Sequence, residues 1–341
     1  MFLSGWFQSP PENFHTTEYV EIDVERDDEQ VAIAITDLTS GPRQNENSVY
    51  TNKRFRPPIF DEEIGISAFD MIARQPGQNP FADPVYQASA IDQAFSGFRK
   101  LENKIRRAVE LECSQVLQTG QVTLIDASGT ALYTIDYQPK ATHMKTVTTT
   151  WALNGSTGAP LTDLFDLADV VRVDGKLDPN VLVFGKSAWL RFIANPDVKA
   201  LLDLARAETM QLAPQSRGQG ATFQGWIWIG HYRFELWTYS GFYKHPQTGV
   251  ATMFVADDNV IMRASDGRLD LTFGAIPMIV PPDQRATVFL PPRISSEGRG
   301  LDLTTNAWVT PDGKQVKVSA GTRPLAIPTA IDTFARLDVT A

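Results

Sequence analysis

The chain has 341 residues, of which 43% are hydrophobic, 21% charged and 10% aromatic, enough for two domains or one domain with large insertions around a real core. Its formal net charge of −9, from 40 acidic and 31 basic residues, argues against a protein that grips nucleic acid through its phosphates. The single cysteine, Cys113, excludes an intrachain disulfide and a cysteine-rich zinc site, and fits a reducing cytoplasm.

The first 15 residues carry Phe2, Leu3, Trp6, Phe7 and Phe14 among Pro10 and Pro11. They lack the basic region and long apolar core of a signal peptide. The stretch is too aromatic for a solvated tail and too broken by proline for a helix. Such an arm docks on something, either its own body or a neighbouring subunit. From Thr16 to Ile35 the alternation predicts two strands joined at Asp27-Asp28. Residues 36–82 read as a long, irregular loop, with one short helical run at ISAFDMIAR. Loops of that length are functional or make contacts beyond their own body. Lys53, Arg54 and Arg56 near its middle are followed by Asp61, Glu62 and Glu63. Opposite charges on one projecting loop suit pairing with a neighbour; the plainer alternative is a solvated loop that the charges keep soluble.

A helix is predicted over 83–118, with Asp83 as N-cap, Pro84 at the first position and Gly120 closing it. Ile91, Phe95, Phe98, Leu101, Ile105, Val109 and Val116 recur on one face, and Arg99, Lys100, Lys104, Arg106 and Arg107 gather toward the other. At about 1.5 Å per residue it would run about 54 Å, the dimension of a spine. QVTLID and ALYTIDYQ flank the turn Ala127-Ser128-Gly129-Thr130 as a hairpin. Beyond Trp151 the texture is α/β. A helix opens at Thr162 or Asp163, VLVFG is a buried strand, and further helix is broken at Pro196. QLAPQSRGQGATFQG reads as a flexible loop, followed by strands around WIWIGHYRFELWTYSG and TMFVADDNVIMRAS. A second hairpin turns at Asp312-Gly313.

The chemical inventory is empty at every motif tested. His15, His143, His231 and His245 show no metal-ligand spacing or catalytic signature, and His231 reads as an ordinary strand position. Cys113 falls near the apolar stripe of the spine helix, as a buried inert thiol. SRGQGATFQG lacks the Gly-Lys-Ser/Thr ending of a phosphate loop, and Asp174, Gly175 and Asp178 make a turn that is not a calcium loop. Trp226 and Trp228, alternating with Ile227 and Ile229, read as core packing, with a ligand platform as the alternative. No cofactor, no metal and no catalytic residue is expected. No stretch approaches the roughly 18 apolar residues of a membrane span, and a soluble protein with no membrane partner is expected.

Several stretches resemble the lambda-type major capsid proteins of tailed bacteriophages, the phage major capsid protein E family. They are the aromatic arm followed by TTEYVEIDV, the Asn-Pro-Phe-Ala-Asp-Pro entry to the spine at 79–84, and the exit through LQTGQVTL. VLVFGKSAWLRFIANPDVKALLD, FVADDNVIM at 254–262 and AWVTPDGKQVKVSAGTRPLAI continue the resemblance in order over nearly the whole chain. It implies an α+β fold, the tailed-phage major capsid fold. In it, 1–35 would be the N-terminal arm and strands, 36–82 an extended loop, and 83–150 a peripheral domain of spine helix and hairpin. Residues 151–300 would form an axial α/β domain, and 301–341 strands returning to the peripheral domain. The implied function is a structural, non-enzymatic one: self-assembly into pentamers and hexamers of an icosahedral head, built in the host cytoplasm and ending in the virion. The implied partners are other copies of the chain, scaffolding protein, portal, a decoration protein, and packaged DNA enclosed without sequence-specific binding. Phe2, Trp6, Phe7, Arg54, Arg56, Asp61, Glu62 and Glu63 are the candidate intersubunit contacts. The alternatives are a cellular nanocompartment shell of the same fold, a tail or connector component, and an enzyme whose Asp and His residues meet only in the fold.

Overall fold

The computed structural model describes residues 1–15, 17, 19–24, 51–68, 86–125, 131–203, 209–276 and 302–341. A 3-10 turn at Ser4–Trp6 and another at Pro11–Asn13 precede β1 (Val20–Val24), β2 (Thr51–Phe55) and β3 (Phe60–Ser67). Helix α1 (Tyr86–Thr119) leads into β4 (Gln121–Ile125), β5 (Ala131–Asp136) and β6 (Met144–Thr146). Then come α2 (Pro160–Gly175), β7 (Val181–Phe184), α3 (Lys186–Ala194) and α4 (Pro196–Asp203). Strands β8 (Met210–Gly218), β9 (Ala221–Ile229), β10 (Tyr232–Tyr239), β11 (Phe242–Lys244), β12 (Ala251–Met253), β13 (Asn259–Arg263) and β14 (Asp270–Phe273) follow. The chain closes with β15 (Thr304–Val309), β16 (Gln315–Thr322), β17 (Pro324–Ile327), a 3-10 turn at Ile331–Thr333, and β18 (Phe334–Asp338).

The largest sheet has seven strands in the order β6-β18-β13-β7-β10-β9-β8. It is mixed: β7 runs parallel to β10 and β6 parallel to β18, while the other pairs are antiparallel. Its central strands alternate between two cores. Leu182, Phe184, Val260, Met262 and Leu337 face α2 and α3, where Leu164, Leu167, Val171, Ala188 and Phe192 meet them. Val183, Ile261 and Phe334 face the other way, toward Cys113, Val116 and Leu117 of α1 and Leu3 and Phe7 of the arm. Burial on both faces explains why VLVF reads as a continuous apolar run.

Helix α1 has 34 residues, about 51 Å at ~1.5 Å per residue. Its first half lies on a three-stranded sheet, order β15-β16-β3, through Leu101, Ile105, Ile66, Val318 and Ala320. Phe95, predicted on that inner stripe, is instead 63% exposed. From Glu110 to Gln118 the second half is largely enclosed, with Glu110, Glu112, Cys113, Ser114 and Gln118 all buried. Gly120 ends the helix in the left-handed conformation at φ 66°, and a Cβ there would lie 2.3 Å from Pro139 Cγ. The start, with Asp83 and Pro84, lies outside the described residues, as does the turn at 127–130. The arms of that hairpin pair as predicted, Gln121 with Asp136 and Thr123 with Thr134.

Several expectations are corrected. Within 36–82, residues 51–55 and 60–67 are strands, and β3 pairs with β16 along its whole length, from Phe60↔Thr322 to Ser67↔Gln315. Exposure alternates along β3: Asp61, Glu63 and Gly65 face solvent, while Glu62, Ile64 and Ile66 lie on the more buried face. The described partner of β1 is β2, with Val20↔Phe55 and Val24↔Thr51; the second predicted strand, 31–35, lies outside the described residues. The "flexible loop" at 211–225 is a hairpin of β8 and β9 whose exposed outer strand offers no apolar alternation to read. Helix α2 starts at Pro160, before the expected Thr162 or Asp163, and Asp163 accepts the Trp151 indole N–H at 2.8 Å instead of capping. His231 sits in the turn between β9 and β10. The break at Pro196 falls where predicted, between α3 and α4. The C-terminal strands divide: β15 and β16 join β3 beneath α1, β17 pairs with β14, and β18 enters the large sheet.

Candidate assembly surface

The aromatic arm is held by a socket on its own chain. Buried Glu110 of α1 accepts the backbone N–H groups of Phe2 at 3.0 Å, Leu3 at 2.8 Å and Ser4 at 2.9 Å, and the Tyr239 hydroxyl at 2.8 Å. The first 3-10 turn leaves these amides without main-chain acceptors, and a carboxylate satisfies them together. Burial first, then the facing Glu110, pushes the Tyr239 hydroxyl far above the ordinary tyrosine range, so it stays a donor. Phe2 packs against Trp6, Trp237 and Tyr239 with ring centroids 5.1, 5.2 and 5.3 Å away. The Arg263 guanidinium, lowered to about 10 by burial, lies 5.1 Å from the Trp6 ring centre. Farther along, Gln8 exchanges backbone hydrogen bonds with Leu269 and Leu271, both at 2.8 Å, and Phe14 stacks on Phe273 at 4.8 Å. Of the two dockings open to the arm, the structure shows the chain's own body, with Phe7 buried and Phe2 and Trp6 packed on the same core. Sequence reasoning missed Glu110; its only signal is an acid flanked by Val109 and Leu111 on the predicted helix.

Arg54 lies on β2, Arg56 just beyond its end, and Asp61, Glu62 and Glu63 on β3 of a different sheet, so the charged candidates do not share one projecting loop. Arg54 and Arg56 are exposed, and the Arg54 guanidinium sits 3.9 Å over the Tyr19 ring. Glu62 pairs with Lys104 of α1 at 2.6 Å and Glu63 with Lys317 of β16 at 2.8 Å, so both have partners within the chain. Asp61 is exposed at the end of the same strand. Pairs this exposed hold about 0–1 kcal/mol each and exchange partners at little cost. Apolar side chains are exposed at further places, among them Phe242, Val250 and Met253 about the β11–β12 hairpin, Trp308 and Val309 on β15, and Trp228 on β9. On β9 the isoleucines face the α2–α4 core, while Trp228 is 40% exposed, against the expectation of a core tryptophan. Arg233 stands opposite Trp228 in register, 5.2 Å from the Trp226 ring centre.

His143 and Cys113 lie in the interior. His143 is buried with Nδ1 2.8 Å from the Phe334 carbonyl and Nε2 3.1 Å from Asp174. Burial, with Glu110 and Glu112 nearby, holds the Cys113 thiol well above its ordinary range, the opposite of an activated nucleophile. Among the described residues no group of three or more His, Cys, Asp or Glu is placed to hold a metal ion. None of the described helices is long and apolar enough to cross a membrane.

A family model described as phage major capsid protein E matches residues 2–339. No curated protein matches the chain. Among solved structures, a prophage protein of Escherichia coli CFT073 assigned as a capsid protein is similar with a TM-score of 0.61 at 17% identity, covering 85% of this chain and 79% of its own. The capsid of Ralstonia phage GP4 is similar with a TM-score of 0.52 at 10% identity, over 98% of this chain and 87% of its own. A phage-related protein from Bordetella bronchiseptica RB50 gives 0.51 at 11%, over 99% and 91%. At such identities the likeness is one of fold, and that fold is α+β. The near-complete family match carries the rest: the chain belongs to the phage major capsid protein E family.

Proposed function

We propose that this structural protein is the repeating subunit of a tailed-phage head, and that its copies form hexamers and pentamers closing an icosahedral shell round the phage DNA. The observation that carries this is the family match over residues 2–339. The surface supports it: apolar side chains at Phe242, Val250, Met253, Trp308 and Val309 lie exposed on or beside narrow sheets, and contacts between copies would cover them. The net charge of −9 suits a wall that encloses DNA without gripping it.

On this reading residues 83–150, with the strands that return to them, form a peripheral domain, and 151–300 an axial domain around the fivefold and sixfold axes. Residues 1–35 and 36–82 are the arm and the extended segment. Scaffolding protein, a portal and a decoration protein are the partners during and after assembly in the host cytoplasm. Arg54 and Arg56, with the acidic row Asp61, Glu62 and Glu63, contact neighbouring subunits by exchanging weak pairs such as Glu62–Lys104 for intersubunit ones. Phe2, Trp6 and Phe7 support the interface from beneath, by fixing the arm.

The test is the double charge reversal Arg54→Glu with Arg56→Glu, followed by negative-stain microscopy and circular dichroism. The expected outcome is a folded subunit that no longer closes shells. Normal shells from the double variant would remove these residues from the interface.

A further inference from the structure

The second half of α1 buries Glu110, Glu112, Ser114 and Gln118, and its polar groups are satisfied with one exception. Glu110 holds the arm. Ser114 donates to the Phe254 carbonyl, and Gln118 donates to that carbonyl at 2.8 Å while accepting the Ala256 N–H at 2.9 Å. Glu112 is 2% exposed, and neither of its carboxyl oxygens has a hydrogen-bond partner. An orphaned carboxyl on the central helix of the molecule calls for a physical account.

Among the described residues, the titratable groups on the elements around it are engaged elsewhere. On α1, Glu110 is committed to the arm, and burial keeps the Cys113 thiol neutral. At the end of β5, the Tyr137 hydroxyl donates to the Ala326 carbonyl at 2.7 Å. Arg323, between β16 and β17, donates to the carbonyls of Pro57 at 3.0 Å and Ala275 at 3.2 Å. Arg336 of β18 donates to the Gln118 carbonyl at 3.1 Å and faces Asp338 at 3.4 Å. The Ala326 amide of β17 offsets part of the burial cost without reaching normal hydrogen-bond geometry to either oxygen.

We propose that Glu112 makes the seating of α1 on β17 a protonation-controlled contact, which accommodates the carboxylic acid and rejects the carboxylate. Burial pushes this carboxyl well above the ordinary carboxylate range, so the folded chain holds the proton more tightly than the unfolded chain does. The seating is at full strength below the ordinary glutamate value of about 4.3 and weakens as the pH rises toward the folded value. Relief comes from a shift of α1 that brings the carboxylate to water, or from a cation placed beside it. Because the Glu110 socket lies on the same stretch of helix, such a shift also loosens the arm.

The experiment uses the full chain, wild type and Glu112→Gln, with thermal melts from about pH 5 to 9 and infrared spectra in D2O. The expected result is a wild-type Tm that falls with rising pH relative to the variant. A protonated-carboxyl C=O stretch at neutral pH should be present in the wild type and missing from Glu112→Gln. Parallel melting profiles, or a wild type lacking the protonated-carboxyl band at neutral pH, would overturn the proposal. Should Glu112→Gln not fold, loss of that band from the wild type on raising the pH decides the question, and a band that is absent at the start refutes it.

Discussion

The two halves of α1 are built on different principles. The first half is a surface helix: Leu101 and Ile105 sit on the three-stranded sheet, while Lys104 pairs with Glu62 and Arg106 with Glu102 and Asp302 in solvent. The second half is enclosed between the arm, β17, the β4–β5 hairpin and the large sheet, and its Glu110, Ser114 and Gln118 are bound to groups far away in the chain. In the first half, replacing a polar residue exchanges one hydrated arrangement for another. In the second, replacing Glu110, Ser114 or Gln118 strands a donor or acceptor out of water, where the cost is several-fold larger.

The sharpest way to break this comparison is Glu110→Ala. It leaves the amides of Phe2, Leu3 and Ser4 and the Tyr239 hydroxyl without their acceptor. The expected loss is about 3–5 kcal/mol in urea unfolding, with early proteolytic cleavage in the arm. The matching change in the first half, Glu102→Ala, costs under about 1 kcal/mol, since its pair with Arg106 is half exposed. Next in size, Leu117→Ala in the sealed half is expected to cost roughly 3 kcal/mol through the cavity it leaves. Phe95→Ala, at a side chain that the helix already exposes, stays within about 0.5 kcal/mol.

The seam between α2 and the segment that precedes β6 extends the comparison to partly buried charge. Asp174 is held below the ordinary carboxylate range, chiefly by the Lys140 hydrogen bond at 2.6 Å, with His143 adding to it. A depressed carboxyl contributes stability that is present above its unfolded value of about 3.9 and is lost as the pH falls through the folded one. Asp174→Asn therefore flattens the acid limb of the stability profile, by no more than about 1 kcal/mol at this exposure. The smallest effect belongs to Lys104→Ala, about 0.5 kcal/mol or less, screened further by salt.

The same contrast explains what the sequence made legible. Where one side of an element is wet, its period shows: the stripe through Leu101 and Ile105, the β4–β5 hairpin, the turn at Asp312-Gly313 and the break at Pro196 all stand where their local chemistry puts them. Where both sides are wet, as along β8, no period exists and a paired strand reads as a loop. Where both sides are buried, partners decide. Glu110 lies 107 residues from Leu3, and even on the wet face of β3 the partner of Glu63, Lys317, lies 254 residues away. The row Asp61 to Glu63 was visible as charge, but its pairing within the chain was not. Trp226 and Trp228 alternate as a strand should, yet only the position of α2–α4 tells which set is core, and it is the isoleucines.

The central claim is that this chain closes shells with copies of itself, and negative-stain microscopy of the purified protein, with sedimentation of the same sample, tests it most directly. Closed icosahedral shells, or five- and sixfold rings, are the predicted result. A homogeneous monomer that stays small even with scaffolding protein added would contradict it.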